Sequence, residues 1–233
     1  MAFKRMSGDS RRRQILDAAK QCFAQHGFAG TTTRKVATAA CISEGLLFRH
    51  FPTKAALHAE ILAEVCEADP DLKRLLALQP SSETLIILVR EMVAHFLAIR
   101  TQQDRDEEER LRLGFSSHLD DGEFARLLFE KVARLISPLF TASLESAVAS
   151  GDAVRIETRS IDLFWFAHHL LYSLALTRLP ETPALDYPPD DVLARELNDF
   201  ILRALGVKAD FIAAHLDSAL SFSTLPHLVP ESA

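Results

Sequence analysis

Three cysteines in 233 residues, Cys22, Cys41 and Cys66, are too few, too far apart and odd in number for a disulfide frame. With no Cys-x-x-Cys among them, they are expected to be reduced thiols in helix cores, not zinc ligands. Glycine is scarce at eight residues and proline at ten, which excludes collagen-like and linker-dominated sequence. No Gly-x-Gly-x-x-Gly, phosphate loop or Gly-x-Ser-x-Gly occurs, so the common nucleotide-binding and hydrolase signatures are missing. A long apolar run is missing too. Leu163–Leu176 is interrupted by His168 and His169 and is too short for a bilayer. Met1–Arg13 is basic and polar without an apolar signal region, so a cytoplasmic location with no membrane partner is expected.

What is present is a foldable core and an uneven charge. Apolar residues make up 48% of the chain, with 15 Phe, which rules out a disordered polymer. The net charge is −6. Residues 1–54 nevertheless hold ten Lys/Arg against three acids, +7, which leaves −13 on the remainder. A small basic N-terminal unit on a large acidic body points to a polyanionic partner for the first part, or to a solvated basic face.

Apolar spacing is helical nearly throughout and no segment alternates as a convincing strand, so the fold class is all-α. Ile15, Ala18, Ala19, Cys22 and Phe23 share one stripe of a first helix, Ser10–His26, ended at Gly27. Thr32 or a neighbouring Thr caps a short helix to Ala40; Cys41-Ile42-Ser43 forms a turn; Ser43 caps a second short helix ending near Phe51. Pro52 stops it and Thr53 opens a longer one. Helix, three-residue turn, helix is the geometry whose second helix enters a major groove. Val36, Ala37, Ile42, Leu47 and Phe51 can knit the pair, leaving Thr32, Thr33, Arg34, Arg49, His50 and Lys54 to face phosphates.

The run Gly27-Phe28-Ala29-Gly30-Thr31-Thr32-Thr33-Arg34-Lys35-Val36-Ala37, followed by Ala40 to Lys54 with its closing Phe-Pro-Thr-Lys, resembles the TetR (tetracycline-repressor-like) family of bacterial regulators. The likeness covers about residues 10–65. It implies an all-α homodimer that binds a palindromic double-stranded operator near the nucleoid and is released by a small effector. Thr32 and Thr33 would touch phosphate and Arg34 a guanine edge. Ser43, Glu44, Gly45, Leu46 and Arg49 would line the exposed side of the recognition helix, and Phe48, His50 and Lys54 would clamp the backbone. Cys41 stands where a turn Gly is common, and Phe48 where a Tyr hydroxyl is common. Glu44 either accepts from a cytosine amine or is a solvent-facing cap. Arg11-Arg12-Arg13 either track DNA or solubilise the terminus.

Residues 1–9 are expected to form a flexible basic arm, 10–69 the DNA-binding domain with its connecting helix, and 70–233 a helical ligand-binding and dimerisation domain. The stripes Phe164, His168, Leu171, Ala175 and Leu193, Leu197, Phe200, Ile201 are candidates for a four-helix dimer interface. Phe96, Phe115, Phe129, Phe140, Trp165, His169 and Tyr172 are candidates for a pocket taking a largely apolar effector. No metal or cofactor is expected. His58-Ala59-Glu60 lacks the Pro-Cys-x-x-Cys of zinc deaminases, Glu91 and His95 are a single pair, and adjacent His168 and His169 diverge on a helix. A regulator that is not an enzyme is the expected function; a helical enzyme or interaction scaffold with an appended DNA-binding unit is the rival.

Overall fold

The computed structural model describes residues 7–98, 105–180, 182–183 and 185–216, with the side chains of 65–68, 105–107 and 109 left aside. Residues 1–6 of the expected basic arm and the Cys66 thiol therefore lie outside the described residues. Eleven helices are found among the rest: α1 Gly8–Gly30, α2 Thr33–Ala39, α3 Glu44–His50, α4 Lys54–Ala68, α5 Pro70–Leu76, α6 Ser82–Ala98, α7 Arg105–Leu119, α8 Glu123–Ser150, α9 Ser160–Arg178, α10 Asp190–Ala204 and α11 Ala209–Leu216. An isolated antiparallel bridge, Ala153 with Val207, is the sole extended pairing among the described residues.

The chain divides into two compact units. The first runs to Asp69 and adds Leu113–Lys131, a segment the sequence reading places in the 70–233 domain. Its inclusion has an apolar cause, since Phe124, Leu127 and Leu128 pack with Ala59 and Leu62 of α4. The main core of this unit is the expected α1 stripe together with Val36, Ala37, Ala40, Leu47, Phe51, Leu57 and Ile61. α1 starts earlier than the spacing suggests: the Ser7 hydroxyl accepts from the Ser10 amide at 3.2 Å, so Gly8 and Asp9 are helical. Gly27, at φ +64° and ψ 179°, breaks the helical backbone where the spacing ends the helix, and a short helical stretch continues beyond it to Gly30. The fully buried Thr31 hydroxyl donates there to the carbonyls of Cys22 (3.0 Å) and Gly27 (2.8 Å).

In the second unit α9, α10 and α11 pack on α6, whose residues Leu85 to Val89 are all buried. The α8 end and the α10 end are tied by Gly206, whose carbonyl accepts from the Val154 amide at 2.8 Å. Gly206 has φ +85° and a Cβ there would lie 2.3 Å from the Val154 oxygen, so glycine is required on both counts. By length and composition alone α8 is long and apolar enough to cross a bilayer. α8 also carries Lys131, paired with Glu60 at 2.9 Å.

The expected dimer stripe has a different destination. Phe164, His168, Leu171, Ala175, Leu193 and Ile201 are already buried within the chain, and Leu197 is half-buried. Phe200 remains exposed at 60%, joined by Phe166 (65%), Leu170 (39%) and Val192 (41%), which were not expected. The pocket candidates also separate. Phe115 and Phe129 belong to the first unit, near His118, while Phe96, Phe140, Trp165, His169 and Tyr172 belong to the second. Phe96, Phe140 and Tyr172 are buried there, Trp165 is half-buried and His169 is exposed.

Candidate nucleic-acid interface

α2 and α3 are seven residues each, too short to persist alone, so their placement comes from buried anchors and caps. Thr32 has an extended backbone and its hydroxyl accepts from the Lys35 amide at 3.2 Å; Ser43 does the same for Leu46 at 3.2 Å. The turn between them is pinned by the Cys41 amide on the Thr38 carbonyl and the Ile42 amide on the Ala37 carbonyl, both at 3.0 Å. Gln14 of α1 donates to the Ala40 carbonyl at 2.9 Å. Cys41 sits at φ +53°, a left-handed conformation that favours glycine, and its thiol is exposed. That corrects the expectation of a core thiol: the residue is the apex of the turn. Cys22 is buried as expected.

Leu47 and Phe51 turn the inner side of α3 into the core at 0% and 2% exposure. The opposite side then presents Ser43, Gly45, Phe48 and Arg49 to solvent, with Glu44, Leu46 and His50 half-buried. Arg34, the second residue of α2, is exposed as well. Among the described residues no side chain pairs with the guanidinium of Arg34 or Arg49. Two cations without a side-chain partner among the described residues, and the apolar Phe48, are thus exposed on helices fixed by caps. A surface of this kind can accept phosphate or base-edge hydrogen bonds and make apolar contact with a thymine methyl.

Other candidates are committed within the protein. Lys54 places its ammonium 4.0 Å over the Phe28 ring and donates to the carbonyls of Phe28 (2.9 Å) and Thr31 (3.2 Å). Burial lowers its pKa. The Thr33 hydroxyl donates to the Glu44 carboxylate, so Thr33 is not turned outward to phosphate as expected. The expected cap role of Thr53 is present, with its hydroxyl accepting from the Ala56 amide at 3.0 Å and donating to Glu123 at 2.9 Å.

Arg12 is a connection that residue spacing did not reveal. It donates to the His50 carbonyl at the end of α3 (3.1 Å), pairs with Glu60 of α4 (2.9 Å) and lies 4.2 Å over the Phe51 ring. Instead of belonging to a free basic tail, it joins α1, α3 and α4. Burial alone would raise the Glu60 pKa, but hydrogen bonds from Lys131 and Arg12 outweigh it and hold the carboxyl below its ordinary value. His58, beside it, packs against Phe23, Phe28 and Phe124. Among the described residues no group of three or more His, Cys, Asp or Glu converges as a metal site would require.

Residues 15–61 match the tetR family of bacterial regulatory proteins. Over 85 residues the chain is 40% identical to the HTH-type transcriptional repressor Rv1474c of Mycobacterium tuberculosis, covering 36% of this chain and 42% of that repressor. The match thus spans about two-fifths of the relative's length. Among solved structures, RolR in complex with resorcinol superposes with a TM-score of 0.60 at 17% identity, over 91% of this chain and 96% of that one; at that identity the likeness is one of fold. FadR of Thermus thermophilus, a TetR-family repressor solved with lauroyl-CoA, gives 0.57 at 26% identity, over 83% and 92%.

Proposed function

We propose that the chain is a TetR-family repressor, as the match of residues 15–61 supports, that binds a palindromic DNA operator as a homodimer and leaves it when a small, largely apolar effector binds. The observation that carries this reading is the solvent-facing row Arg34, Gly45, Phe48 and Arg49 on two capped helices anchored by Leu47 and Phe51. Arg34 reads a guanine edge. Arg49 and the Thr32 and Ser43 helix starts meet phosphates. Leu46, Phe48 and His50 add apolar and edge contact at the groove. The protein acts in the cytoplasm, on chromosomal DNA, without catalysis.

A second copy docks on the outer faces of α9 and α10. Phe166 and Leu170 lie four residues apart on α9, and Val192 and Phe200 eight apart on α10, so each pair shares a face. Their exposure of 39–65% is unusual for large apolar side chains and supports burial against a partner. A homodimer reading a palindrome through successive major grooves needs its two recognition helices ~34–36 Å apart. The effector site lies in the second unit, around Phe96, Phe140, Trp165 and Tyr172. Phe96 and Tyr172 pack edge to face there, and aromatic side chains of this kind suit an effector with an apolar part; the two similar structures hold resorcinol and lauroyl-CoA. Effector binding lowers DNA affinity only to the extent that it prefers the non-binding conformation.

Selection of bound sites from random duplex DNA tests the reading. Enrichment of one inverted repeat supports it, and a pool without enrichment rejects it. Sedimentation of Phe200→Lys tests the dimer face: dissociation at concentrations where the wild type is dimeric is expected, and an unchanged dimer would move the interface elsewhere.

A further inference from the structure

Thr33 opens α2 and Glu44 opens α3, eleven residues apart, yet the Thr33 hydroxyl donates to Glu44 Oε1 at 2.5 Å. Both side chains are half-buried, and the flanking caps Thr32 and Ser43 fix the backbone on either side. A glutamate at the start of an exposed helix would ordinarily sample several rotamers. Here one carboxylate oxygen is held, so the other has a restricted direction. Gly45 follows it, exposed and with no neighbour within 4 Å of where a Cβ would sit, so the backbone next to Glu44 is open to an approaching base pair.

A carboxylate only accepts hydrogen bonds. In the major groove guanine offers acceptors at N7 and O6 and thymine an acceptor at O4, all of which repel it. Adenine pairs its N6 donor with an adjacent N7 acceptor. Cytosine alone offers an N4 donor without a neighbouring acceptor, and so fits best. We propose that Glu44 and Thr33 form one specificity unit, in which Glu44 selects a cytosine in each half-site and Thr33 is the positioning residue that aims its carboxylate. Thr33 thereby acts on base choice and not as a phosphate contact. The inference rests on the proposed reading of duplex DNA by α3.

Site selection is repeated with full-length wild type, Glu44→Gln, Thr33→Val and Thr33→Ser, each first shown to melt like wild type. The wild-type site should contain one fixed cytosine per half-site. Glu44→Gln should relax that position, because a carboxamide both donates and accepts, with preference for cytosine falling about tenfold. Thr33→Val should weaken the same preference severalfold and no other, and Thr33→Ser should restore it. If Glu44→Gln leaves every base preference unchanged, the unit is overturned while DNA reading stands. If Glu44→Gln relaxes the cytosine but Thr33→Val does not, the positioning role of Thr33 is overturned. A wild-type pool with no enriched sequence overturns this inference and the DNA-reading function together.

Discussion

Replacing Arg12 by alanine should loosen the reading head without removing a DNA contact. A charged hydrogen bond to a carbonyl such as that of His50 contributes about 1.5–3 kcal/mol. The pair with Glu60 is partly exposed, at 38% and 31%, so solvent screening reduces it to about 0.2–1 kcal/mol. The stacking over Phe51 adds about 0.5–1 kcal/mol at such a site. These terms share one guanidinium and are not additive; a loss of about 2–3 kcal/mol is expected, read from urea denaturation followed by circular dichroism. The Glu60 part has a pH signature. Its carboxyl pKa is depressed on folding, so its contribution is complete above the unfolded value near 4.3 and is lost as pH falls through the lower folded value. The gap between wild type and variant should therefore narrow in acid. In DNA titrations the affinity should drop while the slope against salt stays constant, since no phosphate neutraliser is removed. Stability unchanged within about 0.5 kcal/mol, together with a slope flattened by about one unit, would mean that Arg12 tracks the DNA backbone and that the α1–α3–α4 tie is wrong.

Lys54→Met, which keeps the stem and removes two carbonyl hydrogen bonds, should cost about 1–3 kcal/mol in thermal unfolding with an unchanged salt slope; a flattened slope with full stability would return Lys54 to the phosphates. Cys41→Gly should stabilise by about 0.5–1 kcal/mol, because relief of a left-handed conformation, about 1–2 kcal/mol, exceeds the added chain entropy of glycine; a loss of stability would show that the thiol makes a needed contact. Burial, with smaller contributions from the nearby His169 and His95, pushes His168 down to about 3, so it folds neutral. The unfolded chain takes up that proton first, and stability should fall as pH drops below about 6.5, by up to about 1.4 kcal/mol per pH unit. His168→Phe, measured by calorimetry across that range, should show a shallower decline; identical profiles would contradict a neutral buried imidazole.

Local signals in the sequence were reliable where one stripe or one cap decided the outcome. Ile15 through Phe23 had a single apolar face, and Thr32 and Ser43 stood at extended positions directly before periodic runs, so the helix–turn–helix could be read from spacing alone. α9 gave no such handle. It is apolar around most of its circumference, and nothing in its spacing says that Phe164, His168, Leu171 and Ala175 turn inward while Phe166 and Leu170 face out. On α10 a signal was available: Val192 and Phe200 are apolar residues set among Arg195, Glu196, Asp199 and Arg203. The ties of Arg12 to His50 and of Lys54 to Phe28 span 38 and 26 residues, and long flexible cations carry no periodicity that would announce a partner. The membership of Leu113–Lys131 in the first unit is likewise a tertiary fact, set by which apolar faces meet.

The central claim is that α2 and α3 form a reading head for duplex DNA, and titration of the selected duplex by wild type and Arg34→Ala at several salt concentrations tests it most directly. Arg34→Ala should cost about 1–3 kcal/mol on that duplex and relax a single base position, leaving binding to scrambled DNA little changed. Wild-type protein that holds selected and scrambled duplexes equally tightly at moderate salt, with the dimer intact and no effector present, would contradict the account.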